Sequence, residues 1–160
     1  MDLKIETEEI KLKVRANGVI LNDDKVLMCS INNSGFWCLP GGHIHLGEDS
    51  KTASLREINE EVGISFEDSE LFLMMESFFT GKNNKQFHEL SFYYLMKGEI
   101  PLEKLSDYSY DEDDEGKMVH LDFKWIKLDE IDKLDVRPKA LHSSLINRDF
   151  SLKHIIAKGK

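Results

Sequence analysis

A Pro40-Gly41-Gly42 break followed by a strongly periodic stretch leaves little freedom in the middle of this 160-residue chain. Proline has no amide to give a ladder, and the two glycines admit backbone conformations closed to other residues, so a loop is forced there. From about Ser50 to Val62 the pattern turns helical, with Asp49 or Ser50 placed to cap the first turn and Gly63 placed to end the last. On a wheel of about 100° per residue, Leu55, Ile58 and Val62 share one side and face a core. Arg56, Glu57, Glu60 and Glu61 fall on the other side, within about 140° of one another.

Three carboxylates on one helical surface repel each other, by a few tenths of a kcal/mol for an i,i+4 pair such as Glu57 and Glu61. Hard oxygen ligands gathered in this way suit Mg²⁺, with Mn²⁺ as the other candidate, and a bound cation turns the repulsion into affinity. Gly41 and Gly42 let the backbone come close, so a main-chain carbonyl there can complete a metal shell. An isolated glutamate pair on a helix is ordinarily a solvated face, with Arg56 paired to Glu60. The spacing argues otherwise. Gly42, five residues, Glu48, seven residues, then Arg56-Glu57-Ile58-Asn59-Glu60-Glu61-Val62-Gly63-Ile64 fills every fixed position of one pattern, a coincidence on the order of 10⁻⁹ per starting position at average residue usage.

That pattern, residues 42–64, resembles the signature box of the Nudix hydrolase superfamily, the MutT-like enzymes. The resemblance extends to Trp37-Cys38-Leu39-Pro40-Gly41, similar to the strand that leads into such a box. It also takes in Trp125 to Ile131, similar to the last strand and short helix of these domains. It implies a single domain over residues 1–160 with an α/β/α sandwich around a mixed β-sheet. It also implies hydrolysis of a phosphate anhydride in a small nucleoside diphosphate derivative or nucleoside triphosphate. The alternative is a catalytically silent module that binds a nucleotide derivative; silent relatives usually carry a broken box, and this one is intact. By resemblance, Glu57, Glu60 and Glu61 with the Gly41 carbonyl hold the divalent metal, and Glu57 is a candidate general base. Arg56 then orients Glu57 by a bidentate hydrogen bond, and Glu48 holds the loop against the helix. The family's substrate-branch markers are missing: Phe79-Thr80-Gly81 and Lys82-Asn83 stand where a proline or tyrosine would distinguish two of them.

Outside the box the assignments are open. Arg15 lies in the first strand, where an inward guanidinium meets phosphate and an outward one meets solvent. Trp37, Phe79 and Phe87 suit either base stacking or the core. Glu89, Asp122 and the acidic run Asp111 to Glu115 are remote carboxylates, more often structural than catalytic. His43 and His45 have H-x-H spacing at positions variable in the family, and no metal role is expected of them. Cys29 and Cys38, without CxxC spacing, are read as two reduced, mostly buried thiols, with a disulfide as the alternative.

Secondary structure follows from the same reading. Residues 11–21 and 25–31 form a hairpin about Asn22-Asp23-Asp24, and 70–80 and 87–97 form a second about GKNNK. The run 111–115 is a solvated loop, 118–127 a strand, and LDEIDKL and 139–147 short helices. The net charge of −9 opposes a broad grip on nucleic acid but not a small phosphorylated substrate, because bound cations reverse the local sign. The opening MDLKIETEEIKLK has no apolar stretch of a secretory leader and no run is long enough to span a bilayer, so a cytoplasmic protein without membrane association is expected. Family members are often homodimers; no feature here requires one.

Overall fold

The structure, a computed structural model, describes residues 1–159. Two sheets carry the fold. The larger contains β1 (Lys4–Glu6), β2 (Ile10–Val19), β5 (Gly41–His43), β6 (Asp68–Thr80), β7 (Gln86–Lys97) and β10 (Lys153–Lys158). Its order is β1-β2-β7-β6-β10, with β5 added alongside β2. It is mixed, because β2 runs parallel to β7 and β10 parallel to β6, while β6 and β7 form an antiparallel hairpin. The smaller sheet is antiparallel, in the order β3 (Leu21–Asn22), β4 (Lys25–Ile31), β9 (Lys117–Lys127) and β8 (Tyr108–Asp114).

Alternation along the strands builds two cores. Tyr93 of β7 joins one apolar cluster and its neighbour Tyr94 the other; Val26 and Met28 of β4 face the first, Leu27 and Cys29 the second. Helix α1 (Ser50–Val62) covers the second cluster with Ile58 and Val62, and Leu55 packs on its edge. Leu141 and Leu145, from the turn and short helix α2 (His142–Ile146), close the first. Helices therefore flank sheet on both sides, an α/β/α sandwich. A register shift between Leu71 and Leu73 lets Phe72 and Leu73, adjacent in sequence, both enter the first cluster. No helix among the described residues is long and apolar enough to cross a membrane.

Several expectations change. The first hairpin is only Leu21-Asn22 against Val26-Lys25. Val19 and Ile20 are both buried, in different clusters, so the chain passes from one sheet to the other there instead of turning back. The acidic run is strand β8 from Asp111 to Asp114, paired residue for residue with β9 as far as Asp114↔Lys117, and only Glu115 lies in the turn that follows. Tyr108 and Tyr110 anchor it by stacking in parallel with Phe123, which outweighs the low strand preference of five consecutive carboxylates. Residues 37–41 give isolated bridges rather than a full strand. Strand β10 had no counterpart in the sequence reading.

Candidate functional site

Helix α1 is positioned by its caps. The Asp49 side chain accepts from the Thr52 amide at 2.8 Å, and Gly63 ends the helix at φ 77°, a left-handed conformation in which glycine carries no Cβ penalty. The apolar side of α1 is thereby pressed into the core, and the glutamates are turned toward β5 and the preceding loop.

Arg56 is the hub. Its Nε and Nη2 donate to the two oxygens of Glu48 at 2.7 and 2.8 Å, Nη1 to Glu57 Oε1 at 2.8 Å and to Glu60 Oε2 at 3.2 Å, and Nη2 also to the His43 carbonyl at 3.0 Å. The bidentate partner is thus Glu48, not Glu57, since the flat guanidinium edge meets the carboxylate that lies alongside it. Hydrogen bonds from Arg56 hold the Glu48 carboxyl down at about 2. Glu48 also accepts from the His45 amide at 3.1 Å, tying loop to helix.

The two carboxylates nearest the glycines behave oppositely to Glu48. Burial pushes the Glu57 carboxyl above its ordinary value, against the pull of Arg56. Burial, reinforced by the charge of Glu57, pushes Glu61 up to about 8, although Glu61 Oε2 accepts from the Gly41 amide at 3.1 Å. Two half-buried carboxylates held side by side need positive charge to remain ionised together.

The glycines make the approach possible. A Cβ at Gly42 would fall 2.4 Å from the Glu57 carboxyl, and one at Gly41 would fall 2.4 Å from the Ala16 carbonyl. Two outcomes follow. Gly42→Ala displaces the carboxyl end of one side chain and no main chain, so the fold is retained while a misplaced Glu57 costs about 100-fold in turnover. Gly41→Ala meets main chain and lowers the melting temperature instead. Thermal melts and kinetics of the two variants separate these effects; equal melting temperatures would contradict the assignment.

Two cavities meet at this site and share Arg15, Cys38 and Leu39. One, of about 470 Å³, is acidic, lined by Glu57, Glu61, Glu112, Asp114 and Asp2 as well as Gly41 and Gly42. The other, of about 580 Å³, has Phe36, Phe78, Phe79 and Tyr93 among its walls, with Lys13, Arg137 and Glu89. Arg15 Nη2 donates to the Gly41 carbonyl at 3.3 Å and forms no ion pair with a side chain among the described residues. Glu89 is held by Lys13 at 3.5 Å.

The structure thus brings together Gly41, Arg56, Glu57, Glu60, Glu61 and Arg15, and sets Glu89 in the neighbouring cavity. It does not bring Trp37, which packs against the first core cluster and borders a separate depression with Tyr108 and Asp122. Its neighbour Phe36 lines the aromatic cavity, with the Arg137 guanidinium 4.1 Å from its ring centre. One residue of phase along the chain exchanges the two aromatics. Asp122 is bound to His120 at 3.2 Å, as is Asp111 at 2.7 Å, so neither joins the site. Glu112 and Asp114 do reach the acidic cavity. Residues 108, 110, 112 and 114 share one face of β8, which is why only alternate members of the acidic run arrive. Tyr110, on that face, donates its hydroxyl to the Glu61 carbonyl at 2.9 Å, a contact absent from the sequence reading.

The residues fit a hard divalent cation in chemistry: every donor is oxygen, and burial raises two of the carboxyls. No three His, Cys, Asp or Glu side chains converge at coordinating distance among the described residues. A divalent ion held here would need further oxygen donors, such as a main-chain carbonyl or water, to complete its shell.

Comparison with known proteins agrees with this geometry. An RNA pyrophosphohydrolase of Ruthia magnifica subsp. Calyptogena magnifica is 45% identical over 56 residues, which cover 33% of this chain and 31% of that protein. An ADP-ribose pyrophosphatase of Methanocaldococcus jannaschii is 36% identical over 66 residues, 39% of each. The matches therefore span only about a third of these relatives. The crystal structure of a MutT protein from Bacillus halodurans superposes with a TM-score of 0.64 at 21% identity, covering 91% of this chain and 89% of that one, which establishes likeness of fold. The NUDIX domain profile matches residues 11–145, through both sheets and the glutamate helix, and the chain belongs to the Nudix family.

Proposed function

We propose that the protein is a pyrophosphohydrolase that cleaves a phosphate anhydride in a small nucleoside diphosphate derivative or nucleoside triphosphate, with Mg²⁺ and with Mn²⁺ as a substitute. The observation that carries this reading is the pairing of Glu57 and Glu61, both raised by burial, beside a glycine-lined opening and a cavity of aromatic and basic side chains. Glu57, Glu60 and Glu61 with the Gly41 carbonyl are the proposed ligands. When bound, a divalent ion held by these residues would supply positive charge to offset the phosphates and to acidify an attacking water.

The chain's own residues do the rest. Glu57 is held through Oε1 by Arg56, which leaves Oε2 to accept the proton of the attacking water. Arg56 and Glu48 fix Glu57 in place. Arg15, without an ion-pair partner among the described residues and shared by both cavities, meets a phosphate oxygen and loses little by releasing the Gly41 carbonyl. The aromatic cavity receives the organic part of the substrate, and Glu89 offers an acceptor to it. A small cytoplasmic nucleotide is the substrate class that fits this volume better than a polymer, given the net charge of −9.

The test is a screen of the purified protein against nucleotide derivatives with Mg²⁺ or Mn²⁺, reading phosphate or pyrophosphate released. Outer partners of metal ligands cost about 10- to 100-fold when removed, so Glu60→Gln should lose at least about 100-fold. No turnover of any compound rejects the proposal in favour of a silent binding module, whereas turnover with Glu60→Gln as active as the parent removes Glu60 from the proposed ligands.

A further inference from the structure

Cys29 and Cys38 take no part in the chemistry proposed above, yet they stand directly opposite each other. The Cys29 amide donates to the Cys38 carbonyl at 2.8 Å and the Cys38 amide returns the bond to Cys29 at 2.9 Å. A pair that exchanges both bonds in an antiparallel ladder has Cα atoms about 5.5 Å apart and projects both side chains from the same face. A disulfide needs a Cα separation of about 4.4 to 6.8 Å, which this spacing meets; closing the bond draws the two Cβ atoms in from about 5 Å toward about 3.8 Å. The Cys38 thiol already leans across, 3.5 Å from the Cys29 carbonyl.

Packing alone does not account for the pair. Cys29 belongs to the second core cluster, but Cys38 belongs to none, although Trp37 and Leu39 on either side of it both pack in the first. Cys38 instead borders both cavities, and Cys29 borders the acidic one. A small reagent in the aromatic cavity therefore meets Cys38, and one in the acidic cavity borders both cysteines.

We infer that Cys29 and Cys38 form a reversible dithiol–disulfide couple, a modification site at the wall between the two cavities, oxidised by small-molecule disulfides. The Cys38 thiolate attacks one sulfur of the reagent, forming a mixed disulfide and releasing one thiolate, which is protonated by the proton Cys38 gave up. Cys29 then attacks Cys38 Sγ, forming the internal bond and releasing the second thiol. Two protein thiols and one reagent disulfide become one protein disulfide and two reagent thiols, so atoms and electrons balance. The bond ties β4 to the segment that leads into Gly41 and Gly42.

The experiment equilibrates the whole folded chain in mixtures of reduced and oxidised glutathione, quenches by alkylation, and reads intact mass and the linked peptide. The expected result is loss of the mass of two hydrogens, a peptide joining residues 29 and 38, a fraction that follows the glutathione ratio, and full reversal by dithiothreitol. Cys29→Ser should instead retain glutathione on Cys38. Four outcomes would overturn the inference. They are mixed disulfides only in the unsubstituted chain, covalent dimers, a bond that ignores the glutathione ratio, and thiols that stay unmodified while the unfolded chain oxidises. None of these readouts depends on hydrolytic activity.

Discussion

Glu61→Gln should abolish most hydrolysis, by about 1,000-fold in kcat, and yet stabilise the ion-free protein. A thousandfold corresponds to about 4 kcal/mol of transition-state stabilisation, within the several kcal/mol that a correctly held metal supplies. The stability half follows from the raised carboxyl. Glu61 goes from 4.5 to about 8 through burial and the charge of Glu57. In the folded, ion-free protein it keeps its proton up to about pH 8, whereas the unfolded chain has released it above about 4.5. The folded state thus binds more protons across that window, and stability falls as pH rises through it. One pKa unit is worth about 1.4 kcal/mol, and water entering the cavity relieves part of the shift, leaving a loss on the order of 2 kcal/mol. Thermal melts in chelator at about pH 5 and about pH 9 should show this decline in the parent and much less of it in Glu61→Gln. Parallel declines in the two proteins would show that Glu61 is not the group responsible.

Arg56→Ala should damage both fold and function. It leaves the Glu48 and Glu57 carboxylates, whose side chains are 13% and 12% exposed, without their guanidinium, and it frees the His43 carbonyl. Breaking a buried pair by removing one partner costs about 3 to 5 kcal/mol. For a domain of this size that is roughly 6 to 20 °C in melting temperature. Turnover should fall as well, because Glu57 loses the bond that fixes it. Arg56→Lys should restore little, since an ammonium cannot present two parallel donors to Glu48 while reaching Glu57. A melting temperature for Arg56→Ala within a degree or two of the parent would show the hub to be incidental.

The helix and its chemistry were legible because everything that defines them is local. Asp49, Ile58, Val62 and Gly63 lie within one run of chain, and helical geometry places Glu57, Glu60 and Glu61 together whatever surrounds them. Strand β8 was hidden for the opposite reason. Five consecutive carboxylates carry no apolar alternation, and only pairing with β9 and the stacking of Tyr108 and Tyr110 on Phe123 make that segment extended. Strand β10 alternates half-buried and exposed residues over six positions, too short a pattern to stand out until β6 offers an edge. The choice between Phe36 and Trp37 turned on the path of an irregular segment held by isolated bridges, which no propensity reveals.

By itself, the sequence determined the family, the helix, its caps and the three glutamates on one face, because backbone geometry and spacing settle these over about twenty residues. Tertiary structure alone decided that Arg56 grips Glu48 with both prongs and that Arg15 stands between an acidic and an aromatic cavity. It also decided that Glu112 and Asp114 reach the site while Asp111 and Asp122 turn to His120. The first depends on how the loop folds back on the helix; the others depend on which strands pair and in what register, and a register shifted by one residue would turn those strand side chains to the other face.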